Sequence, residues 1–419
     1  MKILFVTPHL PYPLIFGDRQ RTYLLIKNIK LKYPPNEITL ITFNDEFCNK
    51  ENINEFSKLG IELVIVKKEH IFFRFAFFLI NILNYPLLVY KFYSKNIIKK
   101  IEDLVNGNNY DIIYVSTIHM TINILESKKI VKSNVIVDFV DSKSLYINRI
   151  IQSETYSIKK LIYQRELKYV KRLEQTVVKN FPALLVISRI DKNYIDQFST
   201  SNNIHVVRIA YELPQFDEYE DNLNKNNNNS NITLFISGNF NYLPNIDAIN
   251  HFFKDIYKHV LSKHPDTVFL ISGPGIEKIQ IPICPNIISL GFVKDSKEYM
   301  KSVINSDIVV SPVRLGSGIK TKIVEAMYFG KPIVCYEISN DGLDAKNNEE
   351  LIVVKTPDEF IERLNNLISD KTLRQKLSKN AKQFIKNYFE DDPIEYTMDL
   401  FKKIIDEKKQ QFYIHETKG

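Results

Sequence analysis

Ser311-Pro312-Val313-Arg314-Leu315-Gly316-Ser317-Gly318-Ile319-Lys320-Thr321-Lys322-Ile323-Val324-Glu325-Ala326-Met327 runs from a strand end through a glycine-serine loop into a helix. Ile319, Ile323, Ala326 and Met327 recur at helical spacing and predict one packed face, while Lys322 and Glu325, three apart, share another. That spacing starts the helix near Gly318. Lys320 and Lys322 then stand in the first turn, where the positive end of the helix dipole disfavours cations. An anion seated there removes the conflict: the backbone N–H groups of Ser317 and Gly318 would cradle a phosphate, and a lysine would add charge. Glu325, farther along, could accept hydrogen bonds from a ribose. A solvated lysine pair after an ordinary tight loop is the other reading of the same residues, and on pattern alone both stand.

Outward from this segment, apolar runs and helical stretches alternate. In the second half the runs are Ile232–Ile236, Val268–Ser272, Ile287–Leu290, Ile308–Ser311, Pro332–Cys335 and Leu351–Val354. Ile246, Ile249, Phe253, Ile256 and Val260 line one face of the helix expected between the first two. In the first half they are Lys2–Val6, Ile38–Phe43, Ile61–Val66, Asp111–Val115, Val135–Val140, Ala183–Ser188 and Ile204–Ile209. Such alternation predicts α/β architecture with doubly wound parallel sheets. Between the two series, Leu223–Asn231 contains a near-homopolymeric asparagine run and cannot pack a core. The expected organisation is a Rossmann-like domain over residues 1–215, an Asn-rich linker over 216–231, a second Rossmann-like domain over 232–390, and a helix over 391–410. Ligands of such folds sit beyond the carboxyl ends of the strands, so a cleft between the halves is expected.

A chain of 419 residues exceeds one ordinary core, and 44% hydrophobic with 25% charged residues is a globular balance. The net charge of +7 is mild; it suits an anionic small molecule or membrane surface. No Cys/His zinc pattern or nucleic-acid module is visible, so no nucleic-acid partner is expected. Cys48, Cys284 and Cys335 are far apart and odd in number, which argues against a disulfide framework and for a reducing cytoplasm. Met1–Val6 reads as a first buried strand instead of a signal peptide, because Pro8, Pro11 and Pro13 follow at once. Ile71–Tyr93 is strongly apolar and aromatic, but Arg74, Asn81, Asn84 and Pro86 leave too short a run to span a bilayer. It predicts either a buried helix pair or a membrane-contacting amphipathic face.

Gly318 to Met327, followed by Gly330-Lys331-Pro332-Ile333-Val334, resembles the donor-site signature of retaining GT-B glycosyltransferases (glycosyl transferases group 1, in a bacterial sugar-transferase branch). Ser237-Gly238-Asn239-Phe240-Asn241-Tyr242-Leu243-Pro244-Asn245, with Ala248, is similar to the loop opening the C-terminal domain of that branch. Gly273-Pro274-Gly275, Gly291-Phe292-Val293 and Asn340-Asp341-Gly342-Leu343 fall in order behind it. Thr7-Pro8, Pro11-Tyr12-Pro13 and Gly17-Asp18-Arg19-Gln20-Arg21 resemble the family's first glycine loop. The resemblance covers nearly the whole chain and is strongest from Ile232 to Phe389. It implies two Rossmann-like domains facing each other across a cleft, domain closure on donor binding, and a helix from Pro393 to about Lys408 crossing back onto the N-terminal domain.

By the same resemblance, Glu325 binds the donor ribose and Lys322 the diphosphate. Ser317, Gly318, Ile319 and Lys320 form the phosphate loop, and the Gly238 loop closes over the phosphates with Ser237 and Asn239 as hydrogen-bonding groups. Two departures matter. Many relatives carry a glutamate eight positions before the ribose-binding one, where this chain has Ser317. The usual Arg/Lys pair after the domain-opening glycine is replaced by Tyr242-Leu243-Pro244, which leaves more of the phosphate charge to Lys320 and Lys322. Gly17 would permit close backbone approach, and Arg19 or Arg21 would meet the donor phosphate or an anionic acceptor, unless they only decorate a solvated helix end. Asp138 and Asp141 follow the Val135 strand; Asp141 is taken as catalytic beside Lys322 and Glu325, orienting an acceptor hydroxyl, although a helix cap there looks the same. His9 and His119 are expected to be structural. The implied chemistry is sugar transfer from a nucleoside-diphosphate sugar to a glycan or lipid-linked acceptor, with retention, no metal and no cofactor, in the cytoplasm or at the inner face of the membrane. An epimerase on the same plan and a non-catalytic nucleotide- or sugar-binding partner are the alternatives.

Overall fold

The structure, a computed structural model, describes residues 1–14, 17–153, 158–199, 202–211, 231–293 and 295–416, excluding the side chains of 153 and 411–416. The chain forms two compact units: Met1–Tyr211 with Asp392–Gly419, and Glu212–Asp391. The Asn-rich stretch expected as a linker lies outside the described residues, apart from Asn231.

In the first unit seven parallel strands are ordered β3-β2-β1-β4-β5-β6-β7: β1 Lys2–Thr7, β2 Glu37–Phe43, β3 Glu62–Val66, β4 Ile112–Ser116, β5 Val135–Val140, β6 Ala183–Val186 and β7 Ile204–Val206. The near-continuous apolar sequence of the central strands β1, β4, β5 and β6 follows from burial on both faces. Alternation along β1 divides its side chains between two layers. Leu4 and Val6 pack with Ile97, Ile101 and Val177, whereas Ile3 and Phe5 pack with Leu24, Ile26 and Ile29 of the helix Gly17–Lys32. Ile394, Met398, Phe401 and Ile404 of the helix Pro393–Glu416 join that second layer. Each such burial contributes about 1.5–3 kcal/mol, which holds the end of the chain on the first unit.

The second unit has six parallel strands ordered β10-β9-β8-β11-β12-β13: β8 Thr233–Ser237, β9 Val268–Ser272, β10 Ile287–Gly291, β11 Ile308–Ser311, β12 Ile333–Tyr336 and β13 Ile352–Val354. Ile249, Phe252, Phe253, Ile256 and Val260 fill one side of it. The strand order reverses at β1/β4 in the first sheet and at β8/β11 in the second. Parallel α/β sheets bind ligands at the carboxyl ends of the strands beside such a reversal. In the second unit those ends are Ser237 and Ser311, the two places where the glycine loops begin.

Candidate functional site

Gly318 has φ +70°, a left-handed backbone, so the helix cannot begin there. It spans Thr321–Tyr328, with Lys320 at the N-cap. This corrects the expected start by three residues and removes Ile319 from the packed face: Ile323, Val324, Ala326 and Met327 are buried, and Ile319 is half-buried in the loop before them. Lys320 turns back on its own loop, donating to the carbonyls of Ser317 at 2.9 Å and Gly318 at 2.7 Å. Lys322 reaches instead to the end of β8, donating to the Ser237 carbonyl at 2.8 Å and to Asn245 Oδ1 at 3.4 Å. The residue as a whole is half-buried, yet its ammonium is enclosed. Burial, with the charge of Lys320 acting the same way, lowers its pKa from 10.5 to about 7.

Glu325 lies one helical turn beyond Lys322 and is 9% exposed. Its Oε2 accepts a hydrogen bond from the Tyr299 hydroxyl at 3.2 Å. Tyr299, on the helix Ser296–Asn305, also stands 3.0 Å from Ser237 Oγ. A carboxylate only accepts, so the single tyrosine proton goes to Glu325 and Ser237 donates to the tyrosine oxygen. Burial and the Glu325 charge raise the Tyr299 pKa well above its usual value, keeping that proton in place. Ser237, Tyr299, Glu325 and Lys322 thus form one connected group at the β8/β11 edge.

The Gly238 loop is held from behind. Gly238 N–H donates to Ser272 O at 3.1 Å and Phe240 N–H to Pro274 O at 2.7 Å. A Cβ on Gly273, at φ +151°, would stand 1.7 Å from the Gly238 carbonyl oxygen, so only glycine permits this contact. Asn239 is occupied locally: its carbonyl accepts from Asn245 Nδ2 at 3.0 Å and its side chain from Asn241 N–H at 3.0 Å. Sequence reasoning missed Tyr299, which belongs to no motif, and the part played by Asn245, which lay inside a quoted one.

The first unit uses its expected residues differently. Arg21 is neither at a phosphate nor on a solvated helix end. Its Nε donates to Asp138 at 2.6 Å and its Nη1 to the Val207 carbonyl at 2.8 Å, all buried. The Tyr114 hydroxyl donates to the same carboxylate oxygen. Burial alone would lower the Arg21 pKa, but Asp138 and Tyr114 raise it overall. Arg19 is buried as well, on the Leu10 carbonyl and Asp45 at 2.9 Å each, with its guanidinium over Phe47. Gly17 is exposed, and a side chain there would touch nothing within 4 Å. Asp141 accepts from Lys143 Nζ at 2.5 Å, while Ser142 Oγ takes the capping bond from Leu145 N–H at 3.1 Å. His9 and His119 flank the Phe92 ring at 5.6 and 5.2 Å. Burial, reinforced by Lys143, lowers the His119 pKa to about 3, so its imidazole is neutral near pH 7.

Residues 231–370 match the family model described as Glycosyl transferases group 1. An uncharacterized 44.6 kDa protein in cps region of Klebsiella pneumoniae is 21% identical over 405 residues, 94% of this chain and 97% of that protein. Among solved structures, Anabaena HepE in complex with UDP-glucose aligns over 98% of this chain and 100% of its own, with TM-score 0.59 and 14% identity. WaaG, a glycosyltransferase involved in lipopolysaccharide biosynthesis, aligns over 96% of this chain and 99% of its own, with TM-score 0.61 and 11% identity. At such identities the structural likeness establishes the fold, two parallel α/β units, and the family match concerns the unit that carries the Lys322 group. Residues 231–370 thus form a domain that matches the group 1 glycosyltransferases, within a chain whose fold is GT-B.

Proposed function

We propose that the protein moves a sugar from a nucleoside-diphosphate sugar to a glycan or lipid-linked acceptor, with retention of configuration and without a metal. The observation that carries this reading is the Lys322 ammonium, enclosed at the β8/β11 edge and held by a carbonyl and an amide instead of a carboxylate. A diphosphate arriving there exchanges two neutral acceptors for anionic ones. Lys320, which donates to the Ser317 and Gly318 carbonyls, would turn toward the diphosphate to add a second charge. The loop Ser317-Gly318-Ile319 supplies backbone donors around the phosphates, and the Gly238-Asn239 turn closes over them. Glu325, oriented by Tyr299, keeps acceptor capacity for ribose hydroxyls.

Glycosyl transfer passes through an oxocarbenium-like state, so the enzyme's main task is to stabilise the departing diphosphate, a task that falls to these lysines and the helix N-terminus. In the first unit, Asp141 orients the acceptor hydroxyl and the exposed Gly17 offers backbone to an anionic group. Arg21, committed to Asp138, has no part in this scheme. The UDP-glucose held by HepE and the lipopolysaccharide role of WaaG accord with this donor class and with polysaccharide biosynthesis. A lipid-linked precursor would bring the protein from the cytoplasm to the inner face of the membrane.

The test is incubation with nucleotide sugars and candidate acceptors in the presence of a chelator. Free nucleoside diphosphate and a product of unchanged anomeric configuration are expected. An isomerised donor would point to an epimerase, and binding without turnover to a non-catalytic partner, the reading that Ser317 in place of the usual acid favours.

A further inference from the structure

Nine of the eleven residues in the helix Ile71–Asn81 are apolar, and none is buried. One side leans on the first unit: Phe77 stacks on Tyr93 at 3.5 Å, and Phe78 meets Tyr90 edge-on at 4.8 Å. The other side is open. Ile71, Phe72, Phe73, Phe75, Leu79 and Ile80 are between 54% and 79% exposed. A soluble surface scatters such side chains singly; a contiguous run of this size marks a contact. The surface extends further. Arg165 donates to the Ile82 and Tyr85 carbonyls and Glu166 accepts from Leu87 N–H at 2.7 Å, fixing the helix Ile158–Asn180 beside the segment. Its first exposed turn adds Ile158, Leu161 and Ile162.

Charge decides what covers this surface. From Ile71 to Lys100 the chain has no acidic residue but carries Arg74, Lys91, Lys95, Lys99 and Lys100, the four lysines exposed. A second copy docked about a two-fold axis would face this patch with itself, setting like charges together. Among the described residues no helix is long and apolar enough to cross a membrane. A bilayer interface with anionic headgroups accepts both features, apolar rings below and lysines at the phosphates.

We propose that the helix Ile71–Asn81 and the first turn of the helix Ile158–Asn180 dock the protein in the plane of an anionic lipid surface. The patch adjoins the carboxyl edge of the first sheet, because Phe92, just beyond it, packs between His9 and His119, which follow β1 and β4. A lipid-linked acceptor would then reach that edge without leaving the bilayer, a consequence that rests on the proposed function, whereas the docking itself does not.

Flotation of the full chain, without nucleotide, on vesicles of phosphatidylcholine alone or mixed with phosphatidylglycerol tests the docking. The chain is expected to float with the mixed vesicles and much less with the neutral ones. Phe72→Ser/Phe75→Ser should weaken that binding by about tenfold or more, and Lys95→Ser/Lys99→Ser by about tenfold as well, with reduced salt sensitivity. Unchanged thermal unfolding of both variants shows that the fold is intact. Failure to float on either vesicle, equal flotation of wild type and the phenylalanine variant, or a dimer in light scattering that this variant converts to monomer would each overturn the proposal.

Discussion

Arg21 and Lys322 are both cations enclosed within a parallel α/β unit, but only Arg21 rests on a carboxylate. Asp138 and Tyr114 close around its guanidinium and hold it charged. Lys322 has a carbonyl, an amide and a second lysine nearby, and its pKa falls to about 7. Burying a charge costs several kcal/mol unless a partner compensates it. In the first unit the partner is part of the chain. In the second unit the charge of Glu325 compensates only in part, and a ligand of opposite charge would complete it. Satisfied buried charge thus reads as architecture, and unsatisfied buried charge as a site.

The largest expected effect breaks the satisfied pair. Arg21→Ala should cost about 3–5 kcal/mol of stability, because Asp138 is left buried and alone. Urea unfolding measures it, and a loss below about 1 kcal/mol would remove the structural assignment. Lys322→Met should do the reverse. It is expected to raise stability without ligand by about 1 kcal/mol while lowering nucleoside-diphosphate affinity by about 2–4 kcal/mol. A variant that loses stability as well would mean that Lys322 is as architectural as Arg21. Tyr299→Phe keeps the ring and removes the bond to Glu325, so affinity should fall by about 1 kcal/mol with unfolding unchanged; an unaltered affinity would separate Glu325 from the ribose.

The pH dependence is the smallest effect. Lys322 is protonated up to about pH 10.5 in the unfolded chain but only to about 7 in the fold. The folded state therefore binds fewer protons between those values, and the penalty, full below about pH 7, is relieved as pH rises. A bound diphosphate restores the proton. Binding of a nucleotide sugar at about pH 8 should take up a fraction of a proton, and affinity should fall as pH rises above about 7. Calorimetry in two buffers of different ionisation enthalpy reads the uptake, which Lys322→Met should abolish.

Much of the fold is legible in the chain because doubly buried parallel strands appear as short apolar runs, such as Ile3 to Val6 or Leu234 to Ile236. The Lys322–Glu325 pair is legible for a similar reason: both lie within one helical turn, and the conflict with the helix dipole is local. What was not legible depends on distance. Asp138 is 117 residues from Arg21, so nothing near Arg21 could tell a core ion pair from a phosphate contact. Tyr299 reaches Glu325 from another helix, 26 residues away. The helix start was placed three residues early because side-chain period says nothing of the left-handed backbone at Gly318. For Ile71–Tyr93 the apolar pattern admits a buried helix pair or a membrane face; Val89, Tyr90, Phe92 and Tyr93 are buried, whereas the exposure of Ile71–Asn81 removes burial for that helix.

Calorimetric titration of the wild-type protein and Lys322→Met with UDP, GDP, ADP and TDP addresses the unsatisfied cation most directly. At least one nucleotide should bind the wild type, and the variant should lose most of that affinity while remaining folded. Equal affinity in the two proteins, or binding of none of the four by the wild type, would contradict the assignment of a diphosphate to Lys322.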